Sequence, residues 1–327
     1  MPGLEIDNNL RLSIVKKKRQ TLKENEVRVR VLTCGICGTD NHIIKGESRV
    51  TLPVILGHEF GGVIEEVGKK VTTLAAGDLV VVDPNIPCHS CEYCHEGSTH
   101  LCKRLTAIGV DTDGGMSDHC IVPVQQAYKL PPSFDPKALP FVEPLSCVLH
   151  GLDRINVRQG EKVLIIGAGT IGLMYVLLLR GIAGELFIDE MNPVRLTKPL
   201  SFGAKQEEHE LVGYFDAVIE CSGSVPGFEK AVSKVKRGGR VLVFGVAPLE
   251  ARAQISPNEI YSKELTILGS YVNPYTFQRA IELINAERIP ISSFDIKLFS
   301  LEDYLIAFAA SQSGKFSKVA FSFSEAN

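Results

Sequence analysis

The chain has 327 residues, of which 45% are hydrophobic and 22% charged, a balance typical of a globular protein. A formal net charge of −3 argues against a basic nucleic-acid-binding protein, and no apolar run approaches the roughly 18 residues of a membrane span. Nine cysteines and no visible secretory leader predict a reducing, cytoplasmic location, where clustered cysteines more often bind metal than form disulfides. We therefore expect neither nucleic-acid nor membrane partners.

Short strands are predicted throughout the first 150 residues. Apolar and polar residues alternate over 27–31, 61–67 and 79–82, between turn residues, as in antiparallel sheets. Near residue 160 the pattern changes to a continuous apolar run (162–166), then glycines and an apolar helix over 171–179. Further strand-like runs, several separated by helical stretches, lie at 186–188, 217–219, 241–244 and 265–268. This alternation predicts a doubly wound parallel sheet with helices on both faces.

Two domains are predicted from this change of pattern. An amphipathic helix is expected over 274–286, followed by short strands and one helix near 301–310. The final segment resembles the first part of the chain in its pattern. We therefore predict a mainly β domain over 1–144 that is rejoined by 287–327, with the parallel-sheet domain over 145–286, in an α/β fold.

Four closely spaced cysteines carry the sharpest signal for chemistry. Cys88, Cys91, Cys94 and Cys102 lie within fifteen residues. Four thiolates can complete a tetrahedral zinc shell, which leaves no open position for a substrate. The sequence therefore predicts a structural zinc that stabilises a loop with little apolar core of its own.

A second set of possible metal ligands is dispersed along the chain. Cys37, the pair His58 and Glu59, and Glu143 offer a thiolate, an imidazole and carboxylates. This mixture suits a catalytic zinc with three protein ligands and one exchangeable position. Cys34 precedes Cys37 by three residues, so a cysteine pair is an alternative. Because Cys34 ends a predicted strand, the commoner outcome for it is a small buried hydrophobe.

A glycine-rich turn joins the apolar strand to the helix at 171–179. Gly167, Gly169 and Gly172 form a Gly-x-Gly-x-x-Gly pattern, and Thr170 and Ile171 lie between the last two glycines. Such glycines permit a tight turn and let the backbone approach a pyrophosphate at the helix N-terminus. The strand–turn–helix context indicates a Rossmann nucleotide-binding domain.

An acidic pair follows the next predicted strand. Asp189 and Glu190 lie about 20 residues beyond the glycines, the usual distance for a carboxylate that accepts hydrogen bonds from the ribose. A carboxylate there would also repel a 2′-phosphate. The pair therefore predicts NAD as cofactor in preference to NADP.

Taken together, these segments resemble the zinc-containing medium-chain dehydrogenases, and most of all their polyol branch, the sorbitol or L-iditol dehydrogenases. The resemblance covers nearly the whole chain and rests on Gly35-Ile-Cys-Gly-Thr-Asp-Asn-His42, Gly57-His-Glu-Phe-Gly-Gly62 with Gly68 and Val71, the four-cysteine loop, Phe141-Val-Glu-Pro-Leu145 and the glycine pattern. It implies a GroES-like catalytic domain joined to a Rossmann domain. It also implies two zinc ions per chain, one catalytic and one structural, NAD as cofactor, and a homodimer or homotetramer.

The resemblance assigns roles around the catalytic zinc. Cys37 and His58 are similar to zinc ligands, and Glu59 matches a position that ligates zinc in the polyol branch. Glu143 matches an alternative fourth ligand, either direct or through water, and the sequence leaves this choice open. Yeast and liver alcohol dehydrogenases carry cysteine near the position of Glu143, so its carboxylate favours the polyol branch.

The resemblance also implies a proton relay and a ribose site. Thr39 is similar to the residue that takes the substrate proton, and His42 to the end of the relay to solvent. Asp40 resembles the carboxylate that orients a ligand histidine. Arg195 corresponds to a basic residue near the adenosine ribose, and its spacing favours Glu190 over Asp189 as the ribose ligand. The segment 204–216 is shorter than the corresponding segment usually is in the family.

The predicted function is hydride transfer from a secondary alcohol or polyol to NAD, giving a ketone or ketose. The resemblance places the counterpart of a substrate-facing arginine of the polyol dehydrogenases near Val272, and the absence of an arginine there argues against sorbitol itself. One alternative is an L-threonine-type dehydrogenase, which shares the zinc motifs. Another is a non-catalytic NAD(H)-binding zinc protein, which would have no need for the relay of Thr39 and His42.

Overall fold

The structure is a computed structural model that describes residues 1–207 and 211–323. The chain begins with β1 (Pro2–Ile6), β2 (Leu12–Lys16), β3 (Glu26–Gly35), α1 (Gly38–Ile44), β4 (Val54–Ile55), β5 (Glu59–Val67), β6 (Leu79–Val82), β7 (Asn85–Ile86), α2 (Glu92–His95), β8 (Thr106–Ala107), β9 (His119–Pro123), β10 (Ala127–Lys129) and α3 (Leu139–Ile155). It continues with β11 (Lys162–Ile166), α4 (Thr170–Leu179), β12 (Glu185–Asp189), α5 (Pro193–Ser201), β13 (Lys205–Gln206), β14 (Phe215–Glu220), α6 (Val225–Lys234), β15 (Val235–Val243), α7 (Pro257–Lys263) and β16 (Thr266–Gly269). The last elements are α8 (Phe277–Asn285), β17 (Ile296–Phe299), α9 (Tyr304–Gln312) and β18 (Lys318–Ser322). Within these described ranges, no helix is long and apolar enough to cross a membrane.

The chain forms two compact units. The first comprises Met1–Ser146, Pro274–Asn285 and Phe294–Asn327, and the second comprises Cys147–Asn273 and Ala286–Ser293. The sequence-based boundaries at 144/145 and 286/287 differ from this division chiefly at α8.

Side-chain contacts explain why α8 belongs to the first unit. The ring of Phe277 packs against that of Tyr128, with centroids 4.8 Å apart. Thr276, just before the helix, donates a hydrogen bond from Oγ1 to the carbonyl of Ser146 at 2.7 Å. These partners lie more than a hundred residues away in the sequence, so amphipathic periodicity alone cannot show which unit the helix packs on.

The first unit is built around a seven-stranded sheet with the order β10-β6-β5-β3-β18-β17, in which β9 also pairs with β3. β5 and β18 both pair with β3 in antiparallel register, so that Gly35 lies opposite Glu59 on one side and Ala320 on the other. Apolar side chains from these strands, including Val29, Phe60 and Phe321, form the core. The pairing brings residues from opposite ends of the chain together at the carboxyl end of β3.

The second unit is a six-stranded sheet with the order β13-β12-β11-β14-β15-β16, and all of its strand pairs are parallel. This is the doubly wound Rossmann order, in which the direction of strand addition reverses at the first strand of the unit, β11. The central strand β11 has four buried residues in succession, as expected where helices cover both faces. The predicted α/β fold with a parallel-sheet domain is confirmed. Residues 208–210 of the segment predicted to be short lie outside the described residues.

Candidate functional site

The first turn of α1 brings a thiol, a hydroxyl and a carboxylate together. Cys37 is the N-cap of the helix, and its backbone N–H donates to Oδ2 of Asp40 at 2.8 Å. Asp40 is fully buried. Oγ1 of Thr39 lies 3.7 Å from Sγ of Cys37. The predicted relay hydroxyl is therefore next to the predicted ligand thiol.

His58 and Glu59 come to the same place at the start of β5. The ligand atoms of Cys37, His58 and Glu59 all lie within 4.8 Å of one another. His58 is 7% exposed and Glu59 is 1% exposed, so both side chains are removed from bulk water. A half-buried thiol grouped with a buried imidazole and a buried carboxylate offers the donor set that suits an open zinc site.

Asp40 lies behind His58 in the way that orienting carboxylates lie behind zinc-binding histidines. Nδ1 of His58 is 3.7 Å from Oδ1 of Asp40, and both atoms are buried without a hydrogen-bond partner in the described part of the chain. Burial raises the pKa of Asp40 to about 6. Burial by itself lowers the pKa of His58, but the negative charges of Cys37 and Asp40 outweigh it, so the pKa is raised well above its ordinary value. The donor set therefore fits a zinc ion, with Asp40 as the ring's orienting partner.

Lys318 is a site residue that the sequence analysis missed. Its ammonium group forms a buried ion pair with Oε2 of Glu59. Burial lowers the pKa of Lys318, but the charge of Glu59 prevails and leaves it raised. Gly35 makes room for this pair, because a Cβ at that position would collide with the carboxylate of Glu59. Lys318 and Glu59 are 259 residues apart, and no local motif signals their contact.

Glu143, the alternative fourth ligand, lies outside this cluster of three ligand residues. It is on α3 and is 8% exposed. Its negative charge contributes to the raised pKa values of His58 and Lys318, so it lies within electrostatic reach of both. In this structure the carboxylate grouped with Cys37 and His58 is that of Glu59.

Cys34 is a buried apolar side chain at the end of β3 rather than a partner for Cys37. It is fully buried, and its Sγ is 2.5 Å from the position that a Cβ on Gly57 would take, so it packs closely against that glycine. Burial raises the pKa of the Cys34 thiol well above its usual range. A thiol that resists ionisation is a poor metal ligand, and its packing favours the small-hydrophobe alternative.

The four-cysteine loop holds its sulfur atoms in one cluster. The Sγ atoms of Cys88, Cys91, Cys94 and Cys102 all lie within 4.8 Å of one another. Backbone N–H groups of Cys88 and Arg104 point at Sγ of Cys102, at 3.2 and 3.3 Å. Hydrogen bonds from Ser90 lower the pKa of Cys88 to about 5, whereas burial raises that of Cys94 to about 11. Four sulfur donors in this arrangement fit a closed zinc shell.

Replacing Cys91 by serine is expected to remove one of two zinc ions and to lower the melting temperature by on the order of 10 °C, because a structural zinc contributes folding free energy. Turnover per folded molecule should change little, since no substrate position exists at a four-thiolate site. Elemental analysis and thermal unfolding measure both effects. Cys147→Ser, which lies outside both clusters, is the control. Unchanged zinc content in Cys91→Ser would contradict the assignment.

The glycine-rich turn has the geometry that its sequence predicts. Gly167 follows β11 with φ +97°, a conformation that favours glycine, and Gly169 is the N-cap of α4. A Cβ on Gly172 would collide with the carbonyl oxygen of Gly167, so helix and turn can approach only because residue 172 is glycine. Thr170 and Ile171 form the first turn of the helix. Their N–H groups lie at an N-terminus that suits a pyrophosphate.

Of the acidic pair, Glu190 is the residue that contacts the glycine-rich turn. Its Oε2 accepts a hydrogen bond from the N–H of Ala168 at 2.8 Å, and its Oε1 accepts one from the N–H of Asn192 at 2.9 Å. Nη1 of Arg195 lies 4.0 Å from Oε2 of the same carboxylate. Glu190 is therefore held beside the glycine-rich turn, where the resemblance places the ribose.

Asp189 has a different environment, which sequence spacing did not show. Its Oδ2 forms an ion pair with Lys230 of α6. The same lysine lies 3.9 Å from Glu207, a buried carboxylate that also pairs with Lys234 at 2.5 Å. The charge of Asp189 is thus balanced by a lysine, and Glu190 is the acidic group at the turn.

Comparison with known proteins shows the family of this chain. The model of the alcohol dehydrogenase GroES-like domain matches residues 23–132, and that of the zinc-binding dehydrogenases matches residues 195–286. D-arabinitol dehydrogenase 1 of Uromyces fabae is 31% identical over 93% of this chain and 92% of its own. L-threonine 3-dehydrogenase of Burkholderia cenocepacia is 30% identical over 94% and 95%. A protein of Sinorhizobium meliloti described as a zinc-binding dehydrogenase, solved with NADP, is 32% identical with a TM-score of 0.92, covering 98% of each chain.

The fold and the two sites define an oxidoreductase that uses zinc and a nicotinamide cofactor. The chain belongs to the zinc-containing medium-chain dehydrogenases, and it is similar to members that act on polyols and other alcohols.

Proposed function

We propose that this protein oxidises a secondary alcohol or polyol with NAD and gives a ketone or ketose. The observation that carries the proposal is the cluster of half-buried Cys37 with buried His58 and Glu59, with the hydroxyl of Thr39 beside Cys37. A non-catalytic nucleotide-binding protein would need no such hydroxyl at its metal cluster. The similarity to a D-arabinitol dehydrogenase supports a polyol as substrate.

The site residues of the first unit would each have a distinct part in this chemistry. A zinc ion held by Cys37, His58 and Glu59 would act as a Lewis acid that lowers the pKa of the substrate hydroxyl. Thr39 would accept the substrate proton, because a hydroxyl can accept one proton while donating another. His42 would pass the proton to solvent. Asp40 would hold the ring of His58 in the orientation that metal binding requires.

The experiment that tests the proposal is an activity panel followed by the absorbance of NADH. Arabinitol, ribitol, xylitol and sorbitol are offered with NAD and, separately, with NADP. We expect turnover of at least one pentitol and weaker turnover of sorbitol, given Val272. Absence of turnover with every alcohol by protein that contains two zinc ions would refute the proposed function.

L-threonine is a second candidate substrate. The 30% identity to an L-threonine 3-dehydrogenase over nearly the full length favours it. The same panel separates the two substrate classes, because a threonine dehydrogenase should give a kcat/KM for L-threonine above that for every polyol.

Glu190 is proposed to select NAD. A carboxylate at the ribose is expected to favour NAD over NADP by on the order of ten- to a hundredfold, or ~1–3 kcal/mol. Glu190→Gln should reduce this ratio, whereas Asp189→Asn should leave it nearly unchanged because Lys230 already balances Asp189. The ratio of kcat/KM values for the two nucleotides is the measurement. Wild-type efficiency with NADP equal to that with NAD would contradict the assignment.

Assembly and location complete the proposal. We expect a homodimer or homotetramer in the cytoplasm. In the described part of the parallel sheet, β16 is an edge strand with a neighbour on one side only, and Tyr271 beyond it is 58% exposed. Such an edge favours association with a second copy. No disulfide joins any of the nine cysteines, all of which lie within the described residues, and this suits a reducing compartment. Light scattering during gel filtration measures the assembly.

A further inference from the structure

We propose that Glu47 is a positioning residue that fixes the tautomer and orientation of the His42 ring, so that Nε2 is the nitrogen free to receive a proton. The inference rests on the proposed function, in which His42 ends the proton relay. It adds a residue that neither the motifs nor the comparisons assign.

The end of α1 brings Glu47 back to His42 through the backbone. Gly46 adopts φ +72°, and its N–H donates to the carbonyl of Ile43 at 2.9 Å. The N–H of Glu47 donates to the carbonyl of His42 at 2.8 Å. These two bonds form a Schellman motif, in which a left-handed residue, commonly glycine, closes the helix. The backbone of Glu47 is therefore held against His42 before any side-chain contact is made.

The side chains then meet directly. Nδ1 of His42 lies 2.7 Å from Oε2 of Glu47. Within residues 1–207 and 211–323, this carboxylate is the only side chain that His42 contacts by a hydrogen bond or ion pair. An ionised carboxylate can only accept, so the contact requires the proton on Nδ1 and leaves the lone pair on Nε2.

The other polar groups on α1 are engaged elsewhere. Asp40 accepts from the backbone of Cys37 and lies near His58. Asn41 accepts a hydrogen bond from Gln312 of α9 at 2.7 Å. The tautomer of His42 is therefore left to Glu47.

Helix stability does not account for this carboxylate. A negative charge just beyond a helix C-terminus faces the negative end of the macrodipole and is unfavourable there. Glu47 is also 36% exposed, and a partly exposed ion pair contributes little to stability. The placement is better explained by its effect on the ring of His42.

The first test observes the tautomer itself. The zinc-loaded full chain, labelled with nitrogen-15 at its eight histidines, is compared with Glu47→Ala, and the His42 signals are assigned with His42→Gln. In the wild type we expect the neutral ring to carry its proton on Nδ1. In Glu47→Ala we expect a shift toward the Nε2-protonated tautomer that a free histidine side chain prefers. The same tautomer ratio in both proteins would overturn the proposal, whatever the enzyme's substrate.

The second test is a double-mutant cycle on turnover. Glu47→Ala should lower kcat/KM for the alcohol by on the order of tenfold and leave the KM for NAD unchanged. The expected loss is smaller than the ~10²–10⁴ that a proton-transfer group itself contributes, because Glu47 only positions His42. Glu47→Gln keeps an oxygen acceptor and should recover most of the loss. In a His42→Gln background, Glu47→Ala should have no further effect, because the two residues act as one unit.

The control is Glu24→Ala, an exposed glutamate paired with Lys70 at 2.6 Å. It should behave as the wild type. A loss of melting temperature in Glu47→Ala with unchanged kcat/KM, or a full tenfold effect of Glu47→Ala in the His42→Gln background, would overturn the proposal. If the wild type oxidises no alcohol, the proposed function fails, while the tautomer measurement still decides the role of Glu47.

Discussion

Replacing Thr39 by alanine is expected to lower kcat/KM by on the order of 10²–10⁴, the usual contribution of a positioned proton-transfer group. Oγ1 of Thr39 is 3.7 Å from Sγ of Cys37, so the hydroxyl lies beside one of the three candidate zinc ligands. Zinc content and NADH affinity should stay near those of the wild type, because the three ligand side chains are intact. Steady-state kinetics, elemental analysis and NADH binding measure the three quantities.

Thr39→Ser is the matched variant. It keeps the hydroxyl and should retain much of the activity. The competing explanation is that Thr39 only stabilises the first turn of α1 through its side-chain oxygen. In that case Thr39→Ala would lower the melting temperature and leave turnover per folded molecule almost unchanged. That result, at full zinc occupancy, would remove Thr39 from the mechanism.

Replacing His58 by glutamine is expected to remove the catalytic zinc and to lower kcat/KM by at least about 10³, as the loss of several kcal/mol of Lewis-acid assistance implies. The zinc content should fall from two ions per chain to one, because the four-cysteine cluster does not involve His58. The remaining protein should still bind NADH, since the glycine-rich turn belongs to the second unit.

His119→Gln is the control for this variant, because His119 is a partly buried histidine of the same unit that lies outside both clusters. It should keep both zinc ions and its turnover. Full activity in His58→Gln with a single zinc ion would show that the cluster of Cys37, His58 and Glu59 is not the catalytic centre.

Local patterns were sufficient for much of the architecture. The apolar run that predicted a strand at 186–188 falls within β12, and the run at 241–244 extends one residue beyond the end of β15. The glycine-rich turn joins β11 to α4 as expected. These features depend on side-chain periodicity and on the conformations that glycine permits, both of which are encoded within a few residues. The four-cysteine cluster follows for the same reason, because its spacing is local.

Contacts between distant strands could not be predicted in this way. Lys318 meets Glu59 only because β18 and β5 pair with opposite sides of β3. Lys230 of α6 balances the charge of Asp189, a contact that the spacing of the acidic pair did not indicate. Both pairings arise from tertiary packing, and no periodicity within either segment encodes them.

We propose that this chain couples a zinc ion at Cys37, His58 and Glu59 to the oxidation of an alcohol by a nicotinamide cofactor. The most direct measurement is a chelator titration in which zinc content and polyol-dependent NADH formation are followed in the same sample. We predict that activity falls in proportion to the loss of one of two zinc ions and returns when zinc is added back. Undiminished turnover after that ion has been removed would contradict the account.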